Sequence, residues 1–230
     1  MFYRVHPRVA STYNARMKQL PHPLPDDPLE LVTAWLDDAR ADGGFPNPDA
    51  MALATVGAGG APTNRVVLCK QIVQDPGYIV FYTNYDSLKG MELAGNAAVA
   101  AVFHWDHLDR QVRLEGRTVR SPDEESDAYF ASRDRESQVG AWASAQSQPL
   151  EERAQLLRAM QAIELRFPRG EAVPRPPHWG GYRIWLTAVE LWARGKARLH
   201  DRGRWERDLG DPLDDNGYIP GPWRHRRLQP

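Results

Sequence analysis

Arg110-Gln111-Val112-Arg113-Leu114-Glu115-Gly116-Arg117-Thr118-Val119-Arg120 is the stretch whose reading decides the fold. Val112, Leu114, Gly116 and Thr118 fall on one side and mostly charged or polar groups on the other. A period of two is the signature of a half-buried β-strand. Upstream the same texture continues. Strands are expected at Met51–Val56, Arg65–Lys70, Tyr78–Thr83 and Ala97–Trp105. Gly57, Gly59-Gly60, Pro62 and Asp75-Pro76-Gly77 supply turn chemistry between them. One short helix interrupts the series at Ser87–Gly95, with Asp86 or Ser87 as cap and Asn96 just past its end. Further upstream, Asp27-Pro28 reads as an N-cap with proline at the first helical position. Leu31, Val32, Trp35 and Leu36 then follow at helical spacing through Ala41, and Gly43-Gly44 ends the helix.

Downstream of Arg120, Ser121-Pro122-Asp123-Glu124 reads as a capping box opening a helix to about Ser132. Further helices are expected near Ser137–Ala143 and from Leu150 to Phe167. Val173-Pro174-Arg175-Pro176-Pro177 is an extended linker, and strands resume at Tyr182–Trp192, Ala197–Arg207 and Trp223–Leu228. Asp215-Asn216-Gly217 marks a turn before the last strand. Neither βαβ alternation nor GxGxxG occurs, which argues against a doubly wound sheet. The expected fold is mainly β (α+β): a closed or half-closed antiparallel barrel with flanking helices. One domain is expected over 26–230, behind a proline-bearing arm at 1–25.

The formal net charge of −1 gives no global pull toward nucleic acid or an anionic membrane, so any anion site must be built locally. The single cysteine, Cys69, sits in an apolar run, excludes an intrachain disulfide and reads as a buried inert thiol. Met1 to Leu20 holds no apolar stretch of signal-peptide kind, so a cytoplasmic protein is expected. The seven histidines show no metal-ligand spacing.

Four constellations could carry chemistry. If Arg198-Leu199-His200-Asp201-Arg202 is a strand, Arg198, His200 and Arg202 share a face. Such a cationic row needs an anion or carboxylates; alone, it equally fits a solvated face paired with Asp and Glu. Thr83 to Lys89 follows a strand and opens a helix, so free N–H groups with Ser87 and Lys89 form a phosphate cradle, or a plain N-cap with a surface lysine. Arg65 and Lys70, five apart, fall on opposite faces of a regular strand and would share a ligand only across a bend. Tyr129, Arg133 and Ser137, four apart, align on one helix face and could bind a second phosphate, or form an exposed flank. Gln111 and Gln146-Ser147 suit the edge of a heteroaromatic ring, while Trp179 and Trp192 read as core.

Taken together, these segments resemble the pyridoxine/pyridoxamine 5'-phosphate oxidase family. The matching stretches include Arg65–Lys70, Phe81–Lys89, Arg110–Arg113, Tyr129–Arg133, Ser137–Trp142, Gln146-Ser147, Trp179–Tyr182, Arg198–Arg202 and Arg227–Pro230. The resemblance runs from about Asp27 to Pro230. It implies an FMN-binding split β-barrel homodimer with FMN at the subunit interface. It implies FMN contacts from Arg65, Val66, Val67, Leu68, Lys70, Tyr82 and Thr83. Ser87, Lys89, Gln111, Gln146, Ser147, Trp192 and Arg202 complete that set. Substrate contacts are implied for Lys70, Tyr129, Arg133, Ser137, Arg198 and His200, the last two holding the pyridine ring as catalytic residues. The implied reaction is hydride transfer from a phosphorylated B6 vitamer to the flavin. It yields pyridoxal 5'-phosphate, and O2 is reduced to hydrogen peroxide. A related flavin oxidase of the phenazine-biosynthesis type and a non-catalytic FMN or pyridoxal phosphate carrier are the alternatives. The chain departs from the family pattern at Leu88, where arginine is frequent, at Ala193-Arg194 in place of glutamine-glycine, and at Asp134 in place of a common proline. The turn from Asp208 to Pro222 is longer than usual, and Tyr13 could stand in for the tyrosine of an N-terminal element.

Overall fold

The computed structural model describes residues 19–213 and 217–230; Tyr13 and the Asp215-Asn216 part of the expected turn lie outside them. The order is α1 (Leu29–Asp42), β1 (Ala50–Val56), β2 (Pro62–Leu68), β3 (Gln71–Val73), β4 (Tyr78–Asn84), α2 (Leu88–Gly95), β5 (Ala98–Trp105) and β6 (Arg110–Arg120). Three helices follow, α3 (Asp123–Ser132), α4 (Arg135–Ala143) and α5 (Arg153–Arg166). The chain closes with β7 (Trp179–Ala193), β8 (Asp201–Glu206), β9 (Pro212–Leu213), β10 (Gly217–Tyr218) and β11 (Arg224–Leu228).

Nine strands form one antiparallel sheet in the order β11-β8-β7-β6-β5-β1-β2, with β4 on β7 and β3 on β4. The opening stretch is β6, and its alternation is observed: Val112, Leu114, Gly116 and Thr118 are buried. β3 directly follows β2 and pairs with β4, so the sheet curls back on itself as a half-closed barrel. Its interior holds Met51, Leu53, Phe81, Phe103, Leu114 and Ile184, and α1 lays Leu31, Val32, Trp35 and Leu36 against the same core. The Asp27 carboxylate caps α1 through the Leu29 N–H at 2.7 Å, and left-handed Gly43 ends it.

One edge of β7 is divided. β6 pairs along Tyr182–Ala193 on one side, while the other side takes β4 up to Trp185 and β8 from Ala188 onward. A bulge opposite Glu115/Gly116 leaves Thr187 out of the β6 register at this fork. Arg207 fills the gap: its guanidinium donates to the carbonyls of Leu186 (2.8 Å), Pro76 (2.9 Å) and Gly77 (2.6 Å) and lies 4.2 Å over the Trp223 ring. The side chain is 7% exposed, and burial, opposed by Asp27, pulls its pKa down to about 10.

Four local expectations are corrected. The strand expected at Arg65–Lys70 ends at Leu68, because the Cys69 N–H turns to Asp49 and the Lys70 N–H to Val80. The strand expected from Ala197 begins at Asp201; residues 196–198 form a 3-10 turn with φ of 53° at Ala197 and 64° at Arg198. Gly195 permits that turn, since a Cβ there would lie 1.7 Å from the Leu199 carbonyl oxygen. Arg198 and His200 are therefore not on a strand, and the shared face with Arg202 does not exist. No capping box forms at Ser121: α3 follows Pro122 without a side-chain cap, and the buried Ser121 hydroxyl has no hydrogen-bond partner. Finally, α3 stops at Ser132 and α4 restarts at Arg135, so Tyr129, Arg133 and Ser137 do not share one helix. Cys69 is buried as expected, 1% exposed, with its thiol pushed up to about 12 by burial. Among the described residues no helix is long and apolar enough to cross a membrane.

Replacing Arg207 by leucine removes the guanidinium from the carbonyls of Leu186, Pro76 and Gly77, of which Pro76 is half-buried and Gly77 keeps only a long bond from the Leu186 N–H (3.4 Å). An unsatisfied buried group costs about 1–3 kcal/mol, so the variant should lose about 2 kcal/mol or more. The denaturant midpoint measures this, and a loss under about 1 kcal/mol would show that the fork closes without the guanidinium.

Candidate active site

A pocket of about 620 Å3 opens between β2, the end of β4 and the α3–α4 junction. Its deep end is made by the turn into α2. The Asn84 side chain accepts the Asp86 N–H (2.8 Å), and Ser87 caps α2 by accepting the Gly90 N–H (3.3 Å) while donating to the Asn84 carbonyl (2.7 Å). The turn is tight enough that a Cβ at residue 90 would lie 2.0 Å from the Tyr85 carbonyl oxygen, so glycine is required there. This geometry folds Lys89 inward, 8% exposed. Its Nζ donates to Gln146 Oε1 (2.8 Å), Thr83 Oγ1 (3.1 Å) and Ser87 Oγ (3.2 Å), all neutral oxygens. No described carboxylate lies within ion-pair distance. Burial, with the Arg65 charge adding to it, pulls the lysine pKa down to about 8.

Arg65, on β2, is neutralised from behind. Its Nη2 meets Glu92 Oε2 at 3.0 Å and Thr63 Oγ1 at 2.5 Å, and its Nη1 meets Thr55. Glu92 is buried, which opposes ionisation, but hydrogen bonds from Thr55, Thr63 and Arg65 outweigh this and hold its carboxyl below the usual range. The rim of β2 beside Arg65 is apolar: Val66 is 66% exposed, and Val67 and Leu68 line the same wall.

Aromatic rings form the middle of the pocket. Tyr82 stacks on Tyr129 (centroids 3.9 Å, 16°) and on Trp179 (5.5 Å, 11°). At the far end the Arg133 guanidinium lies 4.7 Å over Trp179. Its Nη1 is buried with no hydrogen-bond partner, and burial depresses its pKa. Ser132, Asp134, Ser137 and exposed Lys70 complete this end. The bend after Leu68 is what lets Lys70 and Arg65 face one cavity. A buried lysine, an orphaned guanidinium donor and flat rings between them suit an anionic group at each end of an aromatic ligand.

Most of the residues singled out by sequence therefore line this pocket, including Tyr82, Thr83, Gln146, Tyr129, Arg133 and Ser137. Ser87 stands directly behind Lys89. Ser147, with φ 71°, is exposed and outside the lining. Gln111, Trp192 and Arg202 are lateral neighbours across β6, β7 and β8 and do not line the pocket. The His200 ring lies 4.6 Å from that of Trp192, its Nδ1 accepts the Gly195 N–H (3.3 Å), and Arg198 is exposed in the preceding turn. Arg202 is held by Glu190 Oε1 through Nη2 (2.7 Å) and Nε (3.0 Å). Sequence reasoning missed the Thr55–Thr63–Arg65–Glu92 network, the lining role of Trp179, and Asp134 as a wall residue. Lys89 and Glu92 lie three apart on α2, which was the only local signal for Glu92.

The model of the pyridoxamine 5'-phosphate oxidase family matches residues 38–167, and that of a pyridoxine 5'-phosphate oxidase C-terminal dimerisation region matches 179–230. The chain is 47% identical over 204 residues to a pyridoxine/pyridoxamine 5'-phosphate oxidase of Cupriavidus necator, covering 89% of each chain. It is 45% identical over 205 residues to one of Rubrobacter xylanophilus, covering 89% of this chain and 87% of the other. Among solved structures it is similar to PhzG from Burkholderia lata in complex with tetrahydrophenazine-1-carboxylic acid (TM-score 0.78, 30% identity, 90% and 94% of the two chains). A pyridoxamine 5'-phosphate oxidase-related FMN-binding protein of Nostoc punctiforme shares the fold (TM-score 0.65, 14% identity, 88% and 98%).

The depressed Lys89 pKa has a signed consequence. Below pH about 8 Lys89 is charged in both folded and unfolded chains, and its desolvation penalty is fully present. Between about 8 and its ordinary 10.5 the unfolded chain binds more protons, so this residue's contribution rises with pH. Anion binding runs the other way, because it needs the charged form. Affinity of the ligand-free protein for a phosphate monoester should fall as pH rises through about 8. Lys89→Met should bind weakly and without that step. A wild-type affinity flat from pH 7 to 9.5 would remove Lys89 from the anion site.

Proposed function

Because the chain belongs to the pyridoxine/pyridoxamine 5'-phosphate oxidase family, we propose that it oxidises pyridoxine 5'-phosphate or pyridoxamine 5'-phosphate to pyridoxal 5'-phosphate, with O2 as acceptor and release of H2O2. It is an FMN enzyme. The observation that carries the reading is one cavity with two cations that make no ion pair, Lys89 and Arg133, and stacked rings between them.

The residues present fit the cofactor. Lys89, Thr83, Ser87 and Gln146 would receive its phosphate, and the Val66–Leu68 rim would face its flat ring. Arg65 supports the same end, its charge already balanced by Glu92. FMN, when bound, supplies a hydride acceptor that O2 can reoxidise. The chain's own task is positioning. Tyr129, Arg133, Ser137 and Lys70 would hold the substrate phosphate, each bond to a charged partner contributing on the order of 1.5–3 kcal/mol. Arg198 and His200 would orient the pyridine ring, and Gln111, Trp192 and Arg202 would close over the cofactor. None of these five lines the pocket of its own chain, so they would serve the pocket of a second copy. A homodimer built through the matched region 179–230 supports that arrangement.

The likeness to PhzG, at 30% identity, favours one second reading: an oxidase of a larger, tricyclic acid on the same scaffold. Leu88, exposed at the start of α2, adds no charge to the cofactor end and keeps a carrier without turnover as a third. One assay separates them. The purified protein should be yellow and should produce peroxide and an aldehyde absorbance from either phosphorylated vitamer. A yellow protein inert to both vitamers would reject the oxidase reading. Arg133→Ala should retain FMN and raise the KM for the phosphorylated vitamer roughly 10- to 100-fold, matching loss of one charge-assisted bond. An unchanged KM would take Arg133 out of the substrate site.

A further inference from the structure

A carboxylate stands among the cations at the substrate end of the pocket. Asp134 lines the same cavity as Arg133 and Ser137. Its Oδ1 accepts the Ser137 N–H at 2.7 Å, and its Oδ2 accepts the Ser137 hydroxyl at 2.8 Å. Those are two donors that an anion arriving beside Arg133 would use. The backbone bond from Ser137, then its hydroxyl bond, hold the Asp134 carboxyl below the usual range, so it is ionised at neutral pH.

The helix does not need that charge. Capping α4 takes one acceptor, and asparagine or serine caps as well as aspartate. Nor does Asp134 bond its neighbour: Arg133 makes no ion pair with any described carboxylate, and its Nη1 has no hydrogen-bond partner, although the two charges attract through space. The exposed carboxylate thus occupies both Ser137 donors without bonding Arg133, and it adds a negative charge beside the place a ligand anion would take.

We propose that Asp134 is a specificity-determining residue that weakens the hold of this end of the pocket on phosphate. The inference rests on the reading of Arg133 and Ser137 as the substrate-phosphate clamp. On binding, the Ser137 hydroxyl turns from Asp134 to the ligand, and the ligand's charge is opposed by the carboxylate. A dianionic phosphate meets roughly twice the opposition that a monoanion meets. The phosphorylated product is therefore held loosely, and affinity is traded for release.

The test is calorimetric titration of the FMN-loaded protein and its Asp134→Asn variant with pyridoxal 5'-phosphate, pyridoxal and inorganic phosphate. FMN occupies the other anion end, so phosphate reports on this one. Asp134→Asn should bind pyridoxal 5'-phosphate and inorganic phosphate roughly three- to tenfold more tightly, with pyridoxal unchanged. Asp134→Ser, a second capping residue, should shift the same ligands in the same direction. Equal or weaker binding of the phosphorylated ligands, or an equal gain for pyridoxal, overturns the proposal. Failure of the functional reading looks different: neither protein binds pyridoxal 5'-phosphate. Inorganic phosphate then decides alone, tighter binding by the variant sustaining the role of Asp134, and equal or absent binding ending it.

Discussion

The architecture depends on one guanidinium at a fork. A single strand edge on β7 cannot serve two partners at once, and where β4 leaves and β8 arrives the backbone carbonyls of Leu186, Pro76 and Gly77 need a donor from outside the ladder, Gly77 having only a long bond from the Leu186 N–H (3.4 Å). Arg207 donates to all three. Its planar fork suits this, whereas an ammonium could not span three carbonyls with the same geometry. The Thr187 bulge and Arg207 together let one long strand hold β4, which leads into the Lys89 turn, and β8, which carries Arg202. The split of the barrel and the separation of the two groups of candidate residues have a common origin.

Charge is handled differently inside and outside the pocket. On the sheet face, buried Glu190 gathers Arg113, Arg202 and Arg204, and Arg204 also meets Glu115 and Glu206. Arg110 meets Asp38 at 2.6 Å, and Arg175 meets Asp123 and Asp127. In the pocket, Lys89 and Arg133 are left to neutral oxygens, aromatic faces or nothing. A buried donor without a partner costs stability. The Arg133 donor stands in a cavity that Arg65, Lys70 and Lys89 also line, an arrangement suited to an anionic ligand.

Elements defined by local chemistry were legible in the sequence. β6 has the bounds its alternation predicts, and α2 starts at the Ser87 cap and ends before Asn96. The capped turn that carries Lys89 was legible for the same reason, since cap, lysine and turn lie within six residues. What depended on distant partners was not. β7 begins at Trp179 rather than Tyr182 because β4 pairs there, Asn84 against Trp179. The alternating charges at 198–202 imitate a strand, but positive φ at Ala197 and Arg198 breaks the period. Tyr129, Arg133 and Ser137 do line one pocket, though across a helix break recapped by Asp134 rather than along one helix. The grouping was right and its geometric reason was wrong.

Cys69 has a use beyond filling space. It lies where β2 leaves its partner and the chain bends toward Lys70, the bend that puts both basic residues on one cavity. Alkylating reagents attack the thiolate, which this environment suppresses and shields. As the sole sulfhydryl of the chain, it is a natural stopwatch. Its modification rate in native buffer counts how often this corner of the barrel breathes open, and ligands that brace the corner should slow the clock.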